Sequence, residues 1–447
     1  MKPRKKVAVI GAGLAGLSAA YRLRQLAVDV DVFEAKNRVG GRVFTVLMEN
    51  YAGEMAELEL GAQNITDGGE ALHFLNLARE FKLSIQEKAI DINILVQDAG
   101  QSAYYNELLE KHPKDFRQLS TLAEKAKNMG ELIELFCEDN TLLKKALFAR
   151  MMAYEGLNPY EQSIYHNIET LAYTLAGGVA KAHEAYKHDY DQIVTSFIKG
   201  GNALLPLAIA KHLEGNIHYK KALSKISIQE TTVFLEFQDR SIYHYDYVIV
   251  AIPVATFKNI DFSHARIDQA RLNKIQSIRC GANYKIALAL NLNRTNAVSS
   301  VIKDNVISFY NNDDSLQLLY VNDQAPDIQD FSNFLSTRVH KTPAVSLAPP
   351  MQAEGEHYRR YSNSLYYNWK QDVYTQGSYT GYSTSLSDEL DTLTDHLGTP
   401  YKNLFSPVQE RLFFAGEHTT ILDCIGTMEA AVESGERVAK AIHRMQA

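Results

Sequence analysis

The sequence predicts an α/β fold. The beginning, middle and end of the 447-residue chain build one parallel-sheet domain, and a discontinuous α+β domain with a helical insertion lies between them. Three observations predict it. A short apolar run, Val7–Ile10, passes through a glycine-rich turn into a helical pattern. From about Glu70 to Tyr190 the apolar spacing turns mostly helical. Buried-strand patterns return near Ile217 and recur at the end of the chain, in Leu412–Ala415. Residues 1–70, 200–285 and 400–447 are assigned to the first domain, and 71–199 and 286–399 to the second.

Val7-Ala8-Val9-Ile10 is continuously apolar, as expected of a strand buried on both faces. Leu14, Leu17, Ala20, Tyr21 and Leu23 then recur at helical spacing, and Val30, Val32 and Phe33 form a second strand ended by Glu34. Further helices are expected around Leu72–Ala78, Leu132–Phe136 and Leu142–Met152, where only Pro113 and Pro159 interrupt the helical stretch. Thr232–Phe237 alternates, with Val233, Leu235 and Phe237 on one face. Tyr247–Ala251, closed by Pro253, and Ile286–Leu290 read as buried strands. Residues 324–356, with Pro326, Pro343, Pro349 and Pro350, read as a loop or linker. A last helix runs from about Met428 to the C-terminus.

Composition excludes several classes. Forty-six basic residues against 53 acidic give a net charge of −7, which argues against nucleic acid as a partner. Cys137, Cys280 and Cys424 form no C-x-x-C pair, so neither a zinc knuckle nor a redox dithiol is expected. So sparse a count suits a reducing, cytoplasmic setting. The histidines show no metal-ligand spacing, so no metal is expected. Lys2, Arg4, Lys5 and Lys6 before Val7–Ala20 imitate a signal peptide. The strand-turn-helix reading makes that run part of the mature fold instead. No apolar run reaches the roughly 20 residues a membrane span needs.

Gly11-x-Gly13-x-x-Gly16 lies directly after a strand and opens a helix. The first glycine allows the tight turn, the second lets the backbone approach a pyrophosphate, and the third lets helix pack on strand. The helix N-terminus offers free N–H groups and partial positive charge to phosphate. Glu34, 18 residues past Gly16, can accept from ribose hydroxyls and disfavours a 2′-phosphate. This Rossmann-type pattern therefore points to FAD or NAD rather than NADP.

The residues after Glu34 narrow the choice. The stretch EAKNRVGGRVFT resembles the flavin-containing amine oxidase family, which includes monoamine, polyamine and L-amino acid oxidases. The resemblance recurs in Glu59–Ile65, in Asn368–Tyr382, and in Phe414–Glu417 with Gly426–Gly435. It implies FAD stretched along the first domain, its ring at the border with a substrate domain. Gly11, Gly13, Ala15, Gly16, Glu34, Ala35, Gly41 and the segment Gly61-Ala62-Gln63 would contact the cofactor. Lys36 and Arg42 would touch pyrophosphate or ribitol, Leu223 would offer backbone atoms to adenine, and Gly416 and Glu417 would hold the ribitol end. Met428, opening the last helix, would face the flavin pyrimidine, with Thr427 beside it. Trp369 and Tyr374 would flank the ring.

The resemblance also assigns chemistry. Lys285 would hold a water near flavin N5, and Tyr379 would form one wall of an aromatic cage. Thr427 stands where monoamine oxidases have the second cage tyrosine, and Ser378 where they join FAD through cysteine, so non-covalent FAD is expected. The expected reaction oxidises a primary or secondary amine to an imine, which water hydrolyses, with O2 reduced to H2O2. An L-amino acid oxidase is the first alternative, although no arginine follows Leu60-Gly61-Ala62; Arg279 or Arg359 would have to bind the carboxylate. A polyamine substrate would want acids such as Glu54, Glu57 or Glu155. A carbon–carbon desaturase fits less well, and a non-catalytic flavin-bearing interaction module is the last alternative. His418 invites a base role but is expected to be structural. No C-terminal membrane anchor is expected, and a homodimer is allowed.

Overall fold

The computed structural model describes residues 5–50, 53–65, 70–89, 94–114, 116–175, 194–289, 300–303, 306–310, 316–321, 351–352, 358–361 and 364–446. The fold is α/β. Strand β1 (Lys6–Ile10) runs into helix α1 (Leu14–Gln25) and strand β2 (Asp29–Phe33). A five-stranded sheet forms in the order Leu412–Phe414, Tyr247–Val250, β1, β2, Ile217–His218, and every pairing is parallel. Val7 to Ile10 face Tyr247 to Val250, which in turn face Leu412 to Phe414. Chain beginning, middle and end thus share one sheet. The three strands Val7–Ile10, Tyr247–Val250 and Leu412–Phe414 are buried on both faces, which is why they read as unbroken apolar runs.

Glycine geometry sets how tightly the first helix meets its neighbours. At Gly16 a Cβ would lie 2.0 Å from the Gly11 carbonyl oxygen, and at Gly435 one would lie 2.2 Å from the Ala15 oxygen. The C-terminal helix (Met428–Gln446) therefore touches α1 backbone to backbone. It also reaches α2 (Leu72–Glu80), whose first-turn N–H groups at His73 and Phe74 donate to the Glu429 carboxylate at 2.9 and 2.7 Å. That acid complements the positive end of α2.

The other half is built around a mixed sheet that is nine-stranded among the described residues, with Tyr284–Ala289 and Ser364–Asn368 antiparallel neighbours near its centre. Helices Met129–Cys137, Thr141–Glu155 and Ile164–Leu175 cover part of it through their own apolar cluster. The 70–190 stretch is less helical than its spacing predicts: Ile85–Ala89, Ile94–Asp98 and Gln101–Tyr104 are strands. A run as short as Ile94-Leu95-Val96 fits a buried strand and a helix turn equally well, and its partners decide: Ser300–Lys303 parallel and Gln101–Tyr104 antiparallel. The predicted linker at 324–356 lies almost wholly outside the described residues.

Gly435→Ala should destabilise the protein by about 1–3 kcal/mol, because the methyl has nowhere to go against the Ala15 carbonyl. Thermal unfolding would register this as a clear fall in midpoint. An unchanged midpoint would mean the two helices can separate freely.

Candidate active site

Three groups of side chains lie along the edge where the parallel sheet meets the mixed sheet. The first surrounds the end of β2. Glu34 accepts from Ala12 N at 2.7 Å and from Lys36 N at 2.9 Å, so its carboxylate ties the glycine turn to the loop after β2. Burial raises its pKa, and those two N–H donors oppose the rise. Gly40 N donates to Ala12 O at 2.8 Å. A side chain at Gly13 would project into open space above the N-terminus of α1. Lys221 N and Lys220 N donate to the Glu34 and Lys36 carbonyls, which lays the segment leading to Leu223 beside Glu34, Ala35 and Lys36. The Lys36 ammonium is ion-paired to Asp372 and donates to the Tyr367 hydroxyl at 3.1 Å.

The second group centres on Arg42. Its guanidinium donates to Ser378 O and to the Glu417 carboxylate, both at 2.8 Å. Glu417 also accepts from the Thr380 hydroxyl at 3.0 Å and from Gly426 N at 3.1 Å. Arg42 holds the Glu417 pKa down although burial pushes it up. Tyr379 packs between Gly156 and Gly426, donates to Ala153 O, and accepts from Asn283 at 2.9 Å. Thr427 lies next to this ring through Gly426, but its hydroxyl serves the C-terminal helix: it accepts from Ala430 N and donates to Cys424 O. Met428, the first helical residue, is buried. The Ser378 hydroxyl is buried and makes no hydrogen bond among the described residues.

The third group grips residues 59–63. Lys285, on the Tyr284–Ala289 strand, donates to Glu59 O at 3.0 Å, Gly61 O at 2.7 Å and Gln63 Oε1 at 3.1 Å. The Trp369 indole donates to Leu60 O at 2.9 Å. Ala62 N donates to Arg42 O at 3.0 Å, which joins this group to the second. Lys285 is buried, and loss of solvent lowers its pKa to about 7.

Other sequence candidates sit elsewhere. Glu54 and Glu57 are exposed on the hairpin formed by β3 (Thr45–Glu49) and β4 (Met55–Glu59). Glu155 closes the Thr141–Glu155 helix and accepts from Thr170 at 2.5 Å; burial pushes its pKa up to about 7. Arg279 pairs with exposed Glu161, and the Arg359 side chain lies outside the described residues. Asn202 was not legible as a site residue, yet its N–H donates to the Glu59 carboxylate at 2.7 Å and its amide to Gln63 O at 2.7 Å. The preceding Gly200-Gly201 pair was the only signal of a tight turn there. Among the described residues no group of three or more His, Cys, Asp or Glu could hold a metal. No helix described is long and apolar enough to cross a membrane.

A glycine-turned strand-turn-helix unit and a buried lysine are features that an oxidoreductase with a dinucleotide cofactor would use. The chain belongs to the flavin containing amine oxidoreductase family, whose profile matches residues 14–304 and 347–443. It is 25% identical to the flavin-containing amine oxidase A of Sus scrofa over 98% of this chain and 84% of that one. Its fold is similar to cyclohexylamine oxidase from Brevibacterium oxydans IH-35A (TM-score 0.72, 17% identity, 99% of both chains). It is likewise similar to a double mutant of putrescine oxidase (TM-score 0.71, 18% identity, 98% of this chain and 99% of that one).

His418 is fully buried against Phe405 and Phe257, and neither ring nitrogen has a hydrogen-bond partner among the described residues. Burial lowers its pKa from 6.5 to about 4. Below pH 6.5 the unfolded chain therefore takes up a proton that the native state refuses, and stability falls as pH drops towards 4. His418→Leu should remove up to about 3 kcal/mol of that acid sensitivity. Urea unfolding of both proteins at neutral and mildly acid pH measures it, and parallel losses in the two would contradict the assignment.

Proposed function

We propose that this flavoprotein binds FAD non-covalently and oxidises a primary or secondary amine to an imine, which water hydrolyses, with O2 reduced to H2O2. The observation that carries the reading is the buried Lys285 ammonium, held on the 59–63 segment within a chain of this family. When bound, FAD supplies the two-electron acceptor, and the protein supplies orientation and proton handling.

The residues present fit such a cofactor. The open space above Gly13, at the N-terminus of α1, suits a pyrophosphate. Glu34 retains unused lone pairs for ribose hydroxyls after accepting from Ala12 and Lys36. The Leu223 backbone would meet adenine. Arg42 and Glu417 would position the ribitol end, and the unpartnered Ser378 hydroxyl lies beside them. Serine at that position cannot form the thioether that cysteine forms in monoamine oxidases, which supports a freely dissociable flavin. Gly61, Ala62, Gln63 and Trp369 would pass beneath and beside the ring, and the start of the C-terminal helix at Thr427 and Met428 would favour the charge of the reduced state.

The amine must shed its proton before its carbon is oxidised, and apolar surroundings favour the neutral form. Tyr379 would supply one aromatic wall. Thr427, committed to capping, leaves the second wall unbuilt, which favours a bulkier amine than a two-walled cage admits. Lys285 would hold the water through which protons reach or leave the reacting centre. The relatives named for cyclohexylamine and putrescine support an amine substrate. The exposed ion pair of Arg279 with Glu161 gives no support to a carboxylate-bearing one.

Acid precipitation of the yellow protein should release all of its flavin as FAD; colour retained in the pellet would contradict the Ser378 argument. An anaerobic panel of cyclic amines, diamines and amino acids should bleach the flavin with an amine, followed by peroxide release on admitting oxygen. Failure with every compound would favour a non-catalytic role. Lys285→Met should slow flavin reduction or reoxidation by about 10²-fold, and unchanged rates would remove Lys285 from the chemistry.

A further inference from the structure

Glu59 has two separate connections to the site. Its backbone carbonyl accepts from Lys285 Nζ at 3.0 Å, while its carboxylate is buried beside Thr45 and Asn202. There the Thr45 hydroxyl lies 3.0 and 2.9 Å from the two carboxylate oxygens, and Asn202 N donates to one of them at 2.7 Å. The Thr45 oxygen in turn accepts from Ala203 N at 3.0 Å. Every group named around the carboxylate donates to it, so the site is built for the ionised form. Lys285 shows the complementary pattern, with three acceptors around its three N–H bonds.

We propose that Glu59 is a positioning residue for the reaction. Its buried carboxylate, fixed by Thr45 and Asn202, is the counter-charge that keeps Lys285 protonated and seated on the 59–63 segment. The inference rests on Lys285 being the proton-handling group.

Electrostatics support the pairing in both directions. Desolvation lowers the Lys285 pKa and the Glu59 charge opposes that fall; desolvation raises the Glu59 pKa and the Lys285 charge opposes that rise. Among the described residues Glu57, exposed on the same strand, also acts on Glu59 and raises its pKa further. The neighbours from β3 and from the turn before the Leu204–His212 helix, Thr45 and Asn202, are uncharged. The carboxylate acts on the ammonium through its charge, and only its backbone carbonyl touches Nζ, so it raises the lysine pKa without a direct ion pair. Asn202 adds a mechanical tie, since it also holds Gln63 O.

The test uses the holoprotein with lysine side chains labelled at Cε with 13C. The Lys285 resonance is assigned by its absence from Lys285→Met and followed through a pH titration. Glu59→Gln should lower the Lys285 midpoint by about one pH unit or more, and Glu59→Asp should restore part of it. Oxygen-driven reoxidation of dithionite-reduced protein should show its Lys285-dependent limb moving the same way. A midpoint that stays put in Glu59→Gln, while Lys285→Met still slows reoxidation, would overturn the role of Glu59 and leave that of Lys285 standing. Should Glu59→Gln fail to fold, Thr45→Val strips one donor from the carboxylate without deleting either charge. It should move the midpoint downward, and an unmoved midpoint would overturn the inference.

Discussion

The backbone contact between α1 and the C-terminal helix is the constraint on which the rest depends. Gly435 leaves no room for a side chain against the Ala15 carbonyl, and Gly16 leaves none against Gly11. The Gly16 approach seats α1 on its own turn, and the Gly435 approach brings the last helix against α1. Only then do Glu34, from the first fifty residues, and Glu417, from the last, face the same side of the fold. Arg42 bridges the remaining distance by holding Glu417 and the Ser378 carbonyl with one guanidinium nitrogen. A guanidinium suits such a bridge because its planar, pre-organised fork loses little freedom for each hydrogen bond it forms.

The second constraint is local. Residues 59–63 form an irregular backbone stretch passing through the interior, where unpaired carbonyls are costly. Lys285 satisfies two of them, Trp369 a third, and Asn202 two more at Ala62 and Gln63. These donors come from three distant parts of the sequence. The segment is therefore held only when the mixed sheet and the turn before the Leu204–His212 helix are both in place, so fold and site form together.

Legibility in the sequence followed the range of the interactions. The β1-turn-α1 unit was readable because its signal is local: four apolar residues, three glycines at fixed spacing, and a terminal acid. The buried strands at 232–237, 247–250 and 412–414 were readable by composition, and the family resemblance placed Lys285 and Trp369 in one region. The strands at 85–104 were not, since each is too short for its periodicity to separate from a helix turn. Asn202 and Asp372 were invisible for another reason: their partners, Glu59 and Lys36, lie 143 and 336 residues away, and nothing local marks them. Thr427 was legible as a substitution in the motif, but its commitment to capping depends on Cys424 and Ala430 adopting the helix start.

Half-buried Lys36 and buried Lys285 show how placement separates structure from chemistry. Burial lowers the pKa of both. Lys36 touches the Asp372 carboxylate directly, with the Tyr367 hydroxyl on the same atoms, so its charge is locked by contact and Asp372 is held below its ordinary pKa. Lys285 instead spends its hydrogen bonds on neutral carbonyl and amide oxygens, and its counter-charge acts from behind the backbone. Neutral acceptors hold a proton less tightly than a contacting carboxylate does, because the hydrogen bond to them carries no full opposite charge at contact distance. The first arrangement suits a fastener between the two sheets. The second suits a group whose proton must come and go near neutral pH, and only it lies against the segment that would pass beneath a bound flavin.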